Sequence, residues 1–155
     1  MTEADTSAIS RLRCREIMTK SVRTATSAMG LREVAAMMRA GDMGAVPVVD
    51  QDKLIGIVTD RDIVVRAVAE GKSADTSVGE VMTSELFTVG PEDFVFEAIR
   101  LMGDKQVRRV PVITNEGQLA GIIAMADIAL ESEDQREIAE TLEEISSGTA
   151  FWSRQ

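Results

Sequence analysis

Apolar positions along this chain switch between a helical and a strand period, and the switch happens twice in the same order. Leu31, Val34, Ala35 and Met38 fall on one face of a helix, and Gly41-Asp42 supplies its stop. Two short apolar runs follow, Ala45 to Val49 and Leu54 to Val58, separated by the polar Asp50-Gln51-Asp52-Lys53. That arrangement predicts a β-hairpin. Pro47 lies inside the first run and cannot donate to a ladder, so it predicts a strand start or a sheet edge. A second helix is expected from about Asp60 to Glu70, ending before Gly71, with residues 71–77 as a polar joint. Ahead of these elements, Arg13 to Met18 reads as a short helical turn and Val22 to Thr24 as a short strand.

The second half replays the order. Val78 to Met82 predicts an entry turn, Leu86 to Thr88 a strand, and Asp93 to Met102 a helix with Val95, Ala98, Ile99 and Met102 on its apolar face. Strands are predicted at Arg109–Ile113 and Leu119–Ala124, flanking residues 114–118. A long helical stretch is expected from about Met125 to Ile145, with Ile138, Leu142 and Ile145 as a narrow apolar stripe. Seven methionines, Met29, Met37, Met38, Met43, Met82, Met102 and Met125, sit at helix or turn positions and are read as adaptable core filling.

The repetition extends to residue identity. Glu16-Ile17-Met18-Thr19 returns as Glu80-Val81-Met82-Thr83, and Val46-Pro47-Val48-Val49 as Val110-Pro111-Val112-Ile113. After one inserted residue, Leu54-Ile55-Gly56-Ile57-Val58 matches Leu119-Ala120-Gly121-Ile122-Ile123, and Asp62-Ile63 matches Asp127-Ile128. Two copies are too few for a solenoid, and each half alone, at roughly 60 residues, buries too little surface to be comfortably stable. The expected fold is therefore α/β (α+β): two β-α-β-β-α units packed as a pseudo-twofold pair, folding as one body, with a C-terminal helical extension. The expected boundaries are 12–71, 78–130 and an acidic helical tail at 131–155. Clefts where such halves meet are the default place for a ligand.

Composition narrows the chemistry. The 155 residues are 45% hydrophobic, no apolar run approaches the ~20 residues that span a bilayer, and Glu3 and Asp5 are out of place in a signal peptide. A single cysteine, Cys14, excludes an internal disulfide framework; the expected setting is reducing and cytoplasmic, with no membrane partner. The formal charge is -9, concentrated in the tail, where seven acids face Arg136 and Arg154. No broad basic stripe is left for nucleic acid. There is no histidine, which removes the usual general base and the commonest metal ligand. With Cys14 read as a partly buried entry-turn residue and no paired acids at a plausible separation, no catalytic constellation can be assembled. The chain is expected not to be an enzyme and to have no metal site.

The sharpest local feature is Gly56-Ile57-Val58-Thr59-Asp60-Arg61-Asp62, a strand running straight into a helix start. Thr59 and Asp62 have the spacing of a capping box, which is a purely structural role. The same geometry suits a ligand: unpaired backbone N–H groups face a phosphate, the threonine hydroxyl adds a donor, and the aspartate can accept from a ribose diol. The second copy, Gly121-Ile122-Ile123-Ala124-Met125-Ala126-Asp127, keeps the aspartate and loses the hydroxyl.

A duplicated h-P-V-h strand followed by G-h-h-T-x-x-D resembles a CBS domain pair, or Bateman module, over roughly residues 12–130, of the stand-alone prokaryotic kind. The resemblance implies a regulatory module that senses adenine nucleotides in the cleft between its repeats. The implied ligands are AMP, ADP and ATP, with NAD and S-adenosylmethionine ranked after them, and no cofactor is required. It implies Asp62 and Asp127 as the ribose acceptors of two related sites and Thr59 as the phosphate-side hydroxyl. Gly44 and Ala45 in the first copy, and Arg108 and Arg109 in the second, are the residues ahead of the h-P-V-h strand. Arginine there suits phosphate through its rigid donor fork. Repeat symmetry puts Ile57, Ile122 and the entry turns Ile17-Met18 and Val81-Met82 at the adenine walls. The alternative is an interaction or assembly module with vestigial clefts, acting on an unidentified effector protein. A homodimer is the default assembly, with the tail stripe and the terminal Phe151-Trp152 expected to cover apolar surface on the same subunit or its partner.

Overall fold

The structure is a computed structural model that describes residues 11–131, without the side chain of Glu131. The stripe at Ile138, Leu142 and Ile145, the terminal Phe151 and Trp152, and the tail expected at 131–155 beyond its first residue lie outside the described residues. In chain order the elements are α1 (Cys14–Ile17), α2 (Leu31–Gly41), β1 (Ala45–Asp50), β2 (Lys53–Thr59), α3 (Asp60–Ile63), a π-helical turn (Val64–Val68) and a 3-10 turn (Val78–Glu80). The second half adds α4 (Val95–Lys105), β3 (Arg109–Ile113), β4 (Leu119–Ala124) and α5 (Met125–Glu131).

The two antiparallel hairpins β1-β2 and β3-β4 form where the apolar runs predicted them. The first is tighter than its polar stretch suggested, because Asp50 and Lys53 pair with each other. Only Gln51 and Asp52 remain to turn the chain, both with positive φ (51° and 64°), the left-handed pair that matches the twist of a two-residue hairpin. Pro47 stands inside β1 and not at its start. Its carbonyl accepts the Ala25 N–H at 2.9 Å, so its nitrogen faces that same side, away from β2, and the missing N–H costs no bond of the hairpin ladder. Pro111 repeats this with Val89 at 3.1 Å.

The strand predicted ahead of each helix is a single residue. Ala25 bridges Val48 in parallel and Val89 bridges Val112, one position C-terminal to the predicted strands. Both α2 and α4 bury one stripe, Leu31, Val34 and Met38 on the first, Val95, Ala98, Ile99 and Met102 on the second. Helix α2 ends on Asp42 (φ 49°) in the left-handed region, with Gly41 still helical, and α4 on Gln106 (φ 57°). The stop falls on the expected Gly41-Asp42 pair, with Asp42 and not the glycine in the left-handed conformation. Helix α4 starts at Val95 and not at Asp93, because the Asp93 carboxylate accepts the Gly90 N–H at 2.7 Å and closes a turn there. The helix predicted from Asp60 to Glu70 opens as α and continues as a π turn, with the N–H groups of Ala69 and Lys72 reaching the carbonyls of Val64 and Ala67, both at 2.9 Å.

Two units emerge, and neither is a simple half of the chain. Among the described residues, one combines residues 22–86 with Glu116–Leu119; the other combines residues 11–21, 87–115 and 120–131. The core of the first holds Ala25, Leu31, Val34, Val46, Val48 and Val58 together with Val78 and Val81 from the entry turn of the second repeat. The core of the second holds Val95, Met102, Val110, Val112, Ile123 and Ile128 together with Cys14 from the start of the first repeat. Each entry turn thus packs on the body of the other repeat. Backbone bonds fix the exchange: Leu31 and Arg32 donate to Thr76 and Ala74, and Val95 donates to Leu12. Those carbonyls satisfy helix N–H groups that have no side-chain cap. All seven methionines read as core filling are buried or packed against the two cores.

Candidate functional site

The end of β2 and the start of α3 form one continuous hydrogen-bonded corner. Thr59 caps the helix: its Oγ1 accepts the Asp62 N–H at 3.0 Å, and Asp62 Oδ2 accepts the Thr59 N–H at 3.0 Å. The capping box read from the sequence is complete. Asp62 is 8% exposed, the one buried charged residue among those described. Its second oxygen, Oδ1, is less committed. It faces the Thr83 hydroxyl at 3.4 Å, which reaches both oxygens, and the Arg66 Nε at 3.8 Å. Arg66 is held in turn by the carbonyls of Val81 and Met82 at 3.3 and 3.2 Å.

Strand β1 closes the other side. Ala45 pairs with Thr59, and the Gly44 carbonyl accepts the Asp60 N–H at 2.9 Å. Ile57 pairs with Pro47 across the hairpin and exchanges two backbone bonds with Thr83, at 2.9 and 2.8 Å. A side chain at Gly56 has no room beside this bridge: a Cβ there would lie 2.6 Å from Met82 Sδ and 3.0 Å from the Thr83 carbonyl. The motif glycine is therefore a close-approach position. Gly44, Ala45, Ile57, Thr59 and Asp62 are brought together in this one unit.

The other unit repeats the construction with different side chains. Met125 N–H donates to the Arg108 carbonyl at 2.9 Å, as Asp60 does to Gly44, and Thr19 and Ile122 exchange bonds of 2.9 and 3.0 Å, as Thr83 and Ile57 do. Asp127 Oδ2 accepts the Ala124 N–H at 2.9 Å; that is half of a capping box, since Ala124 has no hydroxyl to return the bond. Asp127 is half-buried, and Arg108 and Arg109 are both exposed. Gly121 is the counterpart of Gly56, with a Cβ predicted at 2.6 Å from the Thr19 carbonyl. Arg108, Arg109, Ile122 and Asp127 belong to this second assembly, so the predicted residues form two groups.

Sequence reasoning passed over the entry threonines Thr19 and Thr83, the acid Asp60 and the helix residue Arg66. Met18-Thr19 and Met82-Thr83 are repeated at the same offset as the motif itself, and that repetition was the available signal. Cys14 is fully buried, and burial with Asp93 and Glu97 nearby pushes its thiol up to about 12. It is a protonated core residue, more deeply buried than the partial burial expected of it, and no nucleophile. No group of three or more metal-binding side chains exists among the described residues, and no helix there is long and apolar enough to cross a membrane.

Comparison with known proteins agrees with this geometry. The CBS domain family model matches residues 14–68 and 78–134. The CBS domain-containing protein YhcV of Bacillus subtilis is 36% identical over 132 residues, covering 85% of this chain and 94% of the relative. The solved structure of Hypoxic Response Protein I, which holds two coordinated zinc ions, is 37% identical with a TM-score of 0.70, covering 77% of this chain and 98% of that one. The CBS domain pair of protein MJ0100, solved with 5′-methylthioadenosine and S-adenosyl-L-methionine, is 28% identical with a TM-score of 0.68, again over 77% of this chain and 98% of the other. Modules of this kind regulate and do not catalyse. With two tandem β-α-β-β-α repeats, each carrying the strand–helix corner, and with both repeats matched by the family model, the chain belongs to the CBS domain family.

Proposed function

We propose that this chain is a regulatory adenosyl-ligand sensor, with its principal contacts at the Thr59–Asp62 corner. The observation that carries the reading is the division of labour on Asp62. One carboxylate oxygen holds the helix cap, while the other meets only a 3.4 Å hydroxyl and a 3.8 Å guanidinium among the described residues. An ionised carboxylate has about four acceptor positions, so Oδ1 retains capacity for a ribose diol. Thr59 Oγ1 accepts from Asp62, which leaves its own O–H to donate toward a ligand. The adenosyl ligands of MJ0100 support the ligand class. AMP, ADP and ATP remain the first ligands to test, followed by NAD and S-adenosylmethionine.

The experiment is isothermal titration of the full chain with those five ligands, repeated on D62A. At least one of the five should bind the native chain and be weakened at least about tenfold in D62A, since a charge-assisted hydrogen bond contributes about 1.5–3 kcal/mol. No heat from any of the five at millimolar concentration rejects the reading.

One observation favours a second reading. The capping box around Thr59 and Asp62 is completed by these two residues alone, which is what an assembly module with vestigial sites requires. Under that reading D62A lowers the melting temperature by the equivalent of about 0.5–2 kcal/mol for a lost cap and alters no ligand response. We further infer a homodimer, supported by the exposed apolar residues Val64, Val65 and Val68 on the π turn.

A further inference from the structure

The two corners are built on one backbone plan, but their mouths carry opposite charge. The hydrogen bond from Asp60 to the Gly44 carbonyl and the one from Met125 to the Arg108 carbonyl, both 2.9 Å, put these residues in equivalent places. Beside them Ala45 corresponds to Arg109 and Thr59 to Ala124, positions that are cross-strand partners in the first hairpin. The first mouth therefore presents Gly44, Ala45 and the Asp60 carboxylate. The second presents Arg108, Arg109 and the neutral Met125.

The Asp60 carboxylate is turned toward the strand start. One oxygen accepts the Arg61 N–H at 2.8 Å, and the other would lie 3.3 Å from a Cβ on Gly44. Arg61 is the neighbouring cation, and its side chain is exposed; the group set beside Gly44 is the acid. A ligand whose ribose is held at Asp62 would send its 5′ substituent past this acid, and a phosphate there meets a like charge. At the other corner Ala124 brings no hydroxyl, and by the register of the first hairpin its equivalent partner position holds Arg109, whose guanidinium is a stronger and forked partner for phosphate.

We propose that the two corners select different adenosyl ligands: the Arg109 corner takes nucleoside di- and triphosphates, and the Asp60 corner takes adenosyl groups with a neutral or cationic 5′ substituent. This rests on the reading of the corners as adenosyl sites and adds to it which chemical class each one holds.

The test is calorimetry on the full chain with ATP and 5′-methylthioadenosine, separately and together. One equivalent of each should bind, without mutual displacement. R109A should weaken ATP at least about tenfold and leave methylthioadenosine within about twofold, with R109K intermediate. D60N should admit a second equivalent of ATP. Unligated melting curves of each variant confirm folding, and R109K replaces R109A if the latter unfolds. Two equivalents of ATP on the unmodified chain, displacement of one ligand by the other, or equal effects of R109A on both ligands overturns the assignment alone. Failure of one of the two ligands to bind also overturns the assignment alone, and failure of both, with no heat from any of the five ligands above, overturns it together with the sensor reading.

Discussion

A single carboxylate, Asp62, carries both the structural and the ligand-binding roles in this account, and the two are separable by substitution. D62N keeps the side-chain volume and removes the charge. It should retain more stability than D62A yet lose ligand response to a similar degree, read by melting curves with and without S-adenosylmethionine. Gly121 offers an independent check on the corner's backbone. Because its Cβ would meet the Thr19 carbonyl at 2.6 Å, G121A forces backbone to move and should cost about 1–3 kcal/mol in chemical denaturation. Ser27 and Asp50 make a third test. Two hydrogen bonds from Ser27, one from its hydroxyl and one from its N–H, hold the Asp50 carboxyl below its ordinary 3.8. A depressed carboxylate adds stability that is complete above 3.8 and is lost as pH falls through its folded value. S27A should therefore flatten the fall of melting temperature with acid below pH 3.8, and an unchanged slope counts against the pair. At this scale the sequence was legible where a residue type has one geometric use. Thr59 and Asp62 announced their capping box, whereas Thr83 could not be linked to Asp62, because the fold, not spacing, brings residues 21 apart together.

Elements were legible in proportion to how much of their pattern is local. Both hairpins and both apolar helix faces appear where periodicity put them, β3 and β4 with the same end residues. The opening strands did not, because a strand's length depends on its partner, and only Ala25 and Val89 come into register with β1 and β3. The π turn is equally silent: Val64 to Val68 has the composition of an ordinary helix, and one extra residue per hydrogen-bonded ring leaves no mark on a stretch this short. Helix α1 yields a direct prediction. Its Cys14 is fully buried and protonated at neutral pH, so labelling by iodoacetamide in native buffer should be slow and should accelerate on unfolding. Rapid labelling of the folded chain contradicts the docked position of α1.

For the whole molecule, duplication was plain in the sequence, but the exchange of entry turns was not. Repeat identity aligns Glu16–Thr19 with Glu80–Thr83 without saying on which body each one packs. The cores show it: Val78 and Val81 complete the first repeat and Cys14 the second. The inferred homodimer predicts a mass of about twice the 16.8 kDa chain by light scattering. Placing a charge on the exposed π turn, as V68D, should shift that mass to one chain with little change in melting temperature. A monomeric unmodified protein removes the dimer, and a dimeric V68D removes this surface as its cause. The most direct measurement of the central claim is the melting temperature of the native chain and of D62A, each with and without S-adenosylmethionine, the one of the five ligands that suits the Asp60 corner, at about 100 times its dissociation constant. A ligand that binds only the folded state should stabilise the native chain by about 2.7 kcal/mol, and D62A should show a much smaller rise on a slightly lower baseline. An equal rise in both proteins, or none in either, would contradict Asp62 as the ligand acceptor.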